Sequence, residues 1–226
     1  MQKLINKIYH SRFFSTLFPT TVFCLRKNLK DCESALDLGC GPSSPIQYCR
    51  NIKRSVGVET FRPALEEATK RKIHTEYLEK KVEDVDFPEN SFDAVILIEV
   101  LEHLPEDAGY AMLKKAEKWA KKKLIVSTPN GFLPQKEYGN NPFQNHLSGW
   151  DIRTMKKLGF RCFGLSGFKF IRRCTPIETD RSQDDFMASI RLRPVFFWFV
   201  MATLSQIYTY SFPAHSFEIF CVKKIK

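Results

Sequence analysis

Two glycines and two acidic residues near the start of the chain have a spacing that suits a nucleoside ligand. A short apolar run contains Asp37 and leads directly into Gly39-Cys-Gly41. Such a run predicts a buried strand, and the glycines predict a tight turn at its carboxyl end, where the backbone can approach a ligand closely. A second apolar run ends in Glu59, twenty residues after Gly39. A carboxylate at that place can accept hydrogen bonds from both hydroxyls of a ribose.

The elements that must position these residues follow from the alternation of apolar runs with helical stretches. This order predicts an α/β fold with a parallel sheet that is covered by helices on both faces. The predicted strands lie at about 34–38, 55–59, 76–79, 92–98, 123–128, 160–164 and 217–222. The predicted helices lie at about 44–50, 62–72, 106–121 and 149–158.

Three segments resemble class I S-adenosylmethionine-dependent methyltransferases, including the type 11 and ubiquinone-biosynthesis O-methyltransferases. Leu36-Asp-Leu-Gly-Cys-Gly41 resembles their cofactor loop, residues 83–104 their central segment, and Leu124-Ile-Val-Ser-Thr-Pro-Asn-Gly131 their fifth strand with the following turn. The resemblance covers about 34–164 and returns at 216–223. It implies a Rossmann-like sheet of seven mostly parallel strands, with an antiparallel last strand beside strand six. It also implies an enzyme that transfers the methyl group of S-adenosylmethionine.

The resemblance implies where the methionine and ribose parts of this cofactor bind. Glu59 is expected to bind the ribose. Glu99, at the tip of the fourth strand, is expected to face the cofactor cleft. Asp37 either fixes the glycine turn or holds a cofactor amine through water. The residues expected in the loop beneath the methionine part are Asp37, Gly39, Cys40 and Gly41.

The adenine end departs from the pattern of many relatives. They carry an Asp two residues before the Glu83-Asp84 pair, whereas this chain has Lys81. A lysine cannot accept the hydrogen bond of the adenine amine. We therefore expect the backbone amide of Val82 to bind the adenine, with Glu83 or Asp84 as the acid.

The candidate catalytic residues are Glu102, His103 and His146. In some quinone-pathway O-methyltransferases that this chain resembles, the pattern E-x-x-E-H, here Glu99 to His103, is linked to a divalent metal. We favour the interpretation that Glu102 and His103 cap and orient the loop, as in relatives without a metal, so no metal site is predicted. His146 is a candidate general base, and the alternative is that it pins its loop.

We expect a single methyltransferase domain over residues 1–226. The insertion before its last strand contains an apolar segment at 194–212 that is too short and too polar to span a membrane comfortably. This segment is either a helix packed on the core or on a second subunit, or a helix that lies at a membrane interface or grips the substrate. The expected parts are an N-terminal cap at 1–30, a cofactor-binding core at 31–165, the lid or insertion at 166–215 and the final strand at 216–226.

Charge and aromatic content bear on the methyl acceptor. The formal charge of +10 at pH 7 invites a polyanion, but lysines and arginines are spread along the chain, which favours a solvated surface. The insertion carries Phe196-Phe-Trp-Phe199 and Tyr208, with arginines only at its start. We therefore expect a small or lipid-like hydrophobic acceptor, methylated on oxygen or nitrogen, with peripheral contact to a membrane. The alternatives are a nucleic-acid or protein acceptor on the basic surface, and a non-catalytic module that binds the cofactor.

Cysteine usage bears on the compartment. The seven cysteines are scattered without a C-x-x-C pair, which is typical of buried thiols in a reducing compartment rather than of disulfides or a zinc site. The basic, aromatic amino terminus has no small-residue cleavage site for a secretory signal. Both features predict a cytoplasmic protein, and the sequence gives no indication of the oligomeric state.

Overall fold

Seven strands form one sheet in the computed structural model, which describes residues 14–137, 141–173 and 189–225. The central strands are apolar along nearly their whole length because both of their faces are buried. The strands are β1 Ser34–Leu38, β2 Arg54–Glu59, β3 Glu76–Glu79, β4 Phe92–Ile98, β5 Ala120–Pro129, β6 Arg161–Phe168 and β7 Ser216–Lys224.

The strand order brings five strand ends to one edge of the sheet. The order is β3-β2-β1-β4-β5-β7-β6, in which β1 to β5 are parallel and β7 is antiparallel to both β5 and β6. The predicted Rossmann-like sheet, with an antiparallel last strand beside strand six, is therefore confirmed. The carboxyl ends of β1 to β5 and the start of β7 lie at the same edge, which we call the carboxyl edge. In open sheets of this kind, ligands bind outside that edge.

Helices cover both faces of the sheet, as predicted. The described residues form six helices, α1 Phe14–Leu17, α2 Thr21–Asn28, α3 Arg62–Lys70, α4 Glu106–Trp119, α5 Ile152–Lys157 and α6 Val195–Ser211. Helices α4 and α5 bury Met112, Trp119 and Met155 against one face, and α2 buries Cys24 and Leu25 against the other. The long helix α6 lies on β6.

The helix predicted at 44–50 is wrong. The chain forms only a 3-10 turn over Pro45–Tyr48, which the Ser44 hydroxyl caps. The Asn51 side chain then donates hydrogen bonds to the backbone carbonyls of Leu29 and Cys32, so the chain leaves the turn for β2 before a helix can form. The other helices and strands lie where the sequence predicts them, with ends that differ by a few residues.

The predicted cap and the predicted insertion are each described only in part. Residues 1–13 of the cap and 174–188 of the insertion lie outside the described residues. The six cysteines of the described ranges are buried free thiols, in agreement with the thiols expected from their spacing, and Cys221 Sγ donates a hydrogen bond to Cys162 Sγ at 3.3 Å. Across those same ranges, no helix has the length and apolar character that a membrane crossing requires.

Candidate active site

The two glycines of the turn after β1 have similar backbone conformations but different surroundings. Both adopt left-handed backbone, with φ of +67° at Gly39 and +56° at Gly41. A Cβ on Gly39 would lie 2.5 Å from Cγ2 of Val100, whereas a Cβ on Gly41 would have no atom within 4 Å. Gly39 is therefore needed for packing against the loop behind it. Gly41 borders open space, where a ligand can approach the backbone.

Asp37 holds this turn from inside the protein. Its carboxylate is buried, accepts a hydrogen bond from the Ser44 hydroxyl at 2.5 Å and lies 3.4 Å from Nε2 of His74. Burial raises the pKa of Asp37 to about 7. Of the two roles expected for Asp37, these contacts support the fixing of the turn. Cys40 is also buried, and its amide donates a hydrogen bond to the Val58 carbonyl. Cys40 therefore contributes to the turn through its backbone and not through its thiol.

Glu59, at the end of β2, is tied to the glycine turn. Its Oε2 accepts a hydrogen bond from the Gly41 amide at 3.0 Å, and its Oε1 accepts one from the Phe61 amide at 2.7 Å. Each carboxylate oxygen has a second lone pair, so both can still accept a hydrogen bond from a ligand. The arrangement places the predicted ribose-binding carboxylate beside the open glycine.

Residues 82–84, expected at the adenine, form a 3-10 turn directly after β3, at the carboxyl edge. The Val82 side chain is buried, whereas Glu83 and Asp84 are exposed. The Glu83 carbonyl accepts a hydrogen bond from Nζ of Lys115, which fixes the turn on α4. Lys81 is exposed at the beginning of the turn. The adenine contact itself stays a prediction.

Glu99 follows β4 in a strained conformation. Its φ is +55°, a left-handed value that is uncommon for non-glycine residues. Its amide donates to the Ser127 carbonyl at 2.9 Å, and its Oε1 accepts from the Ser127 hydroxyl at 2.8 Å. Burial raises the pKa of Glu99 well above its usual value, and the nearby carboxylates of Glu102 and Glu218 raise it further.

Glu102 is more enclosed than Glu99 or Glu218, with 2% of its surface exposed. Its Oε2 accepts a hydrogen bond from the Thr128 hydroxyl at 3.0 Å. Its backbone carbonyl accepts from the amides of Leu147 and Ser148 at 2.7 and 3.1 Å, which fixes the loop that carries His146. Its side chain is also hydrogen-bonded to that of Glu99, which raises the pKa of Glu99 and lowers that of Glu102. Burial outweighs this effect and raises the pKa of Glu102 to about 7.

Glu218 belongs to the same group of acids, and sequence reasoning missed it. It pairs with Pro129 across β5 and β7 and accepts a hydrogen bond from the Ser166 hydroxyl at 2.7 Å. Burial raises its pKa. The signal was present, because Glu218 is an acid inside the apolar run of the last strand. Without the sheet order, nothing related that strand to Glu99 and Glu102.

His103 and His146 are brought together as neutral imidazoles. Nδ1 of His103 lies 3.1 Å from the Asn145 carbonyl, and Nδ1 of His146 lies 2.7 Å from the Leu133 carbonyl. A carbonyl can only accept, so each Nδ1 carries the hydrogen and each Nε2 keeps its lone pair. Burial lowers the pKa of both histidines, to about 4 for His103. The loop-pinning role expected for His146 is thus present, and its Nε2 stays available for chemistry.

The three candidate catalytic residues form one cluster. Glu102, His103 and His146 each offer one ligand atom, and these atoms all lie within 4.8 Å of one another. A carboxylate oxygen and two imidazole nitrogens, with each Nδ1 held by a carbonyl, are a donor set that suits a divalent cation. The sequence favoured a capping role for Glu102 and His103. The structure adds His146 to this pair as a third donor, which the metal interpretation needs.

Comparisons with known proteins agree with the fold. Residues 36–125, from β1 into β5, match a family model described as a methyltransferase domain. The chain is similar in structure to a SAM-dependent methyltransferase from Archaeoglobus fulgidus, with 14% identity, 94% of this chain and 98% of that chain covered, and a TM-score of 0.53. It is also similar to the methyltransferase domain of bacterial CtHen1-C, with 18% identity, 89% and 94% covered, and a TM-score of 0.52. No curated protein matches the chain.

Proposed function

We propose that this chain, a class I S-adenosylmethionine-dependent methyltransferase by its family match and fold, methylates a small or lipid-like hydrophobic acceptor on oxygen or nitrogen. One observation carries the choice of acceptor. Three large apolar side chains, Phe132, Phe143 and Leu147, are exposed on the segment that holds His146. Apolar side chains beside a few converging polar groups are typical of small-molecule sites.

The glycine turn and Glu59 fit the cofactor. Gly41 leaves open space beside its backbone, and the carboxylate of Glu59 borders that space with unused lone pairs. When bound, S-adenosylmethionine supplies an electrophilic methyl group on a positively charged sulfur. The protein's own task is then to align the acceptor in line with that methyl group and to exclude water.

His146 is placed to take the acceptor's proton. Its Nε2 is unprotonated at neutral pH, because burial lowers the pKa of the ring and Nδ1 carries the hydrogen. The hydrogen bonds from Leu147 and Ser148 to the Glu102 carbonyl hold the loop, and therefore the imidazole, in place. A hydroxyl or amine acceptor at this side of the site would meet Nε2 with its polar end and Phe143 and Leu147 with its apolar part.

The second candidate role of the same side chains is to bind a divalent cation. Glu102, His103 and His146 would hold it, and it would supply positive charge to orient and acidify an acceptor oxygen. His146 cannot serve as base and as ligand through one Nε2 at the same time. The two roles therefore predict different responses to chelation.

The proposal is tested with S-adenosylmethionine that carries a labelled methyl group. The acceptors offered are simple phenols and amines, a lipid extract, RNA and a protein extract. We expect label in the phenol, amine or lipid fraction, and we expect Glu59→Ala to lose it at limiting cofactor while Glu66→Ala, an exposed acid on α3, retains it. Label in RNA or protein alone would overturn the hydrophobic acceptor. Cofactor binding without transfer to any class would favour the non-catalytic module.

A further inference from the structure

Helix α6 carries its apolar residues on the outside. Its buried side is formed by small and polar residues, Ala202, Thr203, Ser205, Gln206 and Thr209. Its opposite side, which we call the outer face, is between 38% and 67% exposed at each position. The residues of the outer face are Phe196, Phe197, Val200, Met201, Leu204, Ile207 and Tyr208.

The contacts with β6 fix this orientation. A Cβ on Gly164 would lie 2.2 Å from the Thr209 carbonyl oxygen, and a Cβ on Gly167 would lie 2.1 Å from that of Ala202. The Ser205 hydroxyl also accepts a hydrogen bond from the Phe168 amide at 3.1 Å. The helix backbone thus rests directly on two glycines. A rotation that turned the large apolar side chains inward would find no space for them.

The outer face is too continuous to be an ordinary water-exposed surface. Single exposed apolar residues are common, but a contiguous patch of seven marks an interaction site. Helix α6 has polar residues toward the protein and apolar residues outward, which is the reverse of an ordinary surface helix. This pattern indicates that its outer surroundings are apolar. At 17 residues the helix is about 25 Å long, enough to lie flat on a bilayer.

The charges around α6 select an anionic lipid surface over a second copy of the chain. No Asp or Glu occurs from residue 189 to residue 215, and the exposed Arg191 and Arg193 directly precede the helix. The Trp198 indole, which donates to the Arg193 carbonyl at 3.1 Å, anchors this end of the helix. Two copies joined through α6 would bring two chains of charge +10 together, whereas anionic headgroups would attract both arginines.

The outer face ends beside the site. Tyr208 stacks on Phe212 with ring centroids 4.7 Å apart, and the chain then turns through Pro213–His215. The Asn130 side chain donates to the carbonyls of Pro213 and Ser216 at 3.2 and 3.0 Å. Asn130 follows β5 at the carboxyl edge, two residues after the partner of Glu102, Thr128. A surface that receives α6 would therefore lie next to the acceptor side.

We propose that the outer face of α6 docks on the surface of a bilayer that contains anionic lipids. The apolar side chains lie at the boundary between headgroups and acyl chains, and Arg191 and Arg193 bind headgroup phosphates. This inference deepens the proposed function, since a lipid-like acceptor would be met at that surface. It is tested without cofactor or acceptor, so that it can fail independently of the proposed function.

The experiment is sedimentation of the full chain with vesicles of phosphatidylcholine, with and without phosphatidylglycerol. We expect binding to the anionic vesicles. The triple variant Phe196→Ser/Leu204→Ser/Ile207→Ser should bind roughly a hundredfold more weakly. Its control is Leu17→Ser, an exposed apolar residue on α1, which should bind like the wild type. The double variant Arg191→Gln/Arg193→Gln should bind anionic vesicles roughly tenfold or more weakly than the wild type. Its control, Lys53→Gln/Arg62→Gln, removes two exposed cations elsewhere and should weaken binding much less.

Circular dichroism and light scattering on the same samples complete the test. If the triple variant melts at the same temperature as the wild type, its weaker vesicle binding results from the changed surface and not from unfolding. If the wild-type protein does not bind anionic vesicles, the inference is overturned. This also holds if the wild type is a dimer that the triple variant dissociates. Binding that the outer-face substitutions leave intact also overturns it. Methyl transfer to RNA alone, with vesicle binding intact, would overturn the proposed function and leave the docking surface standing.

Discussion

His103 and His146 face each other with ring centroids 4.9 Å apart, and a backbone carbonyl holds Nδ1 of each. Both imidazoles therefore keep the Nε2 lone pair, and each ring has a nitrogen within 4.8 Å of a carboxylate oxygen of Glu102. Backbone carbonyls commonly hold metal-ligating histidines in this way, because they fix the tautomer and the ring orientation. The relationship joins residues 43 positions apart, which the loop contacts of Glu102 bring together.

The first prediction concerns this cluster. If Glu102, His103 and His146 hold a divalent cation rather than leaving His146 as the base, Mn²⁺ should bind the wild-type chain, as followed by electron paramagnetic resonance. His146→Ala should weaken binding by about tenfold or more, whereas His215→Ala, an exposed histidine, should not change it. If transfer depends on the cation, EDTA abolishes it and Mg²⁺ or Mn²⁺ restores it. Absence of Mn²⁺ binding, with transfer that survives EDTA, would support the capping role that the sequence favoured.

The second prediction concerns Glu59. Removal of a charge-assisted acceptor costs about 1.5–3 kcal/mol, so Glu59→Ala should weaken S-adenosylmethionine binding roughly ten- to a hundredfold. Glu59→Gln keeps one oxygen for the Gly41 or Phe61 amide and should lose less than Glu59→Ala. Calorimetry on the folded variants measures both. Equal affinity in wild type and Glu59→Ala would remove Glu59 from the binding site.

Sequence reasoning located β1 to β5 and the residues at their ends because both signals are local. An apolar run bounded by glycine or proline identifies a buried strand, and Gly41 and Glu59 then meet through the parallel pairing of β1 with β2. The resemblance to a known family also placed β7 correctly beside β6. These elements position the glycine turn and Glu59, so the placement of these residues at the carboxyl edge could be predicted.

The parts that sequence reasoning missed depend on contacts between distant segments. The turn at Pro45–Tyr48 replaces a helix because Asn51 bonds to carbonyls of the loop after α2. Glu218 joins Glu99 and Glu102 only through the order of β5 and β7. The side of α6 that faces β6 is set by where Gly164 and Gly167 allow close approach, which the composition of the helix does not reveal.

The third prediction separates the two glycines of the turn. Gly39→Ala combines left-handed strain with a clash against Val100, so it should lower the free energy of unfolding by about 2–4 kcal/mol. Gly41→Ala meets no atom and should cost only about 1 kcal/mol of stability. Its methyl group fills the open space, so cofactor binding should weaken by about tenfold or more.

Urea unfolding and calorimetry measure these two effects separately. Val100→Ala in the Gly39→Ala background should recover the part of the loss that comes from the clash and leave the backbone strain. Similar stability losses at Gly39 and Gly41, or unchanged cofactor affinity in Gly41→Ala, would contradict the assignment of a packing role to one glycine and a ligand-facing role to the other.

The last prediction rests on Asp37 and His74, a buried pair behind the turn with Oδ2 and Nε2 3.4 Å apart. Burial raises the pKa of Asp37 from 3.8 to about 7, so between these values the native state holds the extra proton and stability falls as pH rises. Burial lowers the pKa of His74 from 6.5 to about 4, so the unfolded state holds the extra proton and stability rises with pH. The two contributions oppose each other in the wild type.

Stability measured relative to the wild type should therefore report the contribution of the partner that is removed. Asp37→Asn removes the contribution of Asp37, so its stability relative to the wild type should fall as pH is lowered from about 7 towards 4. His74→Gln removes the contribution of His74, so its relative stability should fall as pH rises from about 4 to 6.5. Urea unfolding across that range measures both slopes, with Asp86→Asn, an exposed acid, as the control. Slopes of the same sign in the two variants would show that Asp37 and His74 do not oppose each other.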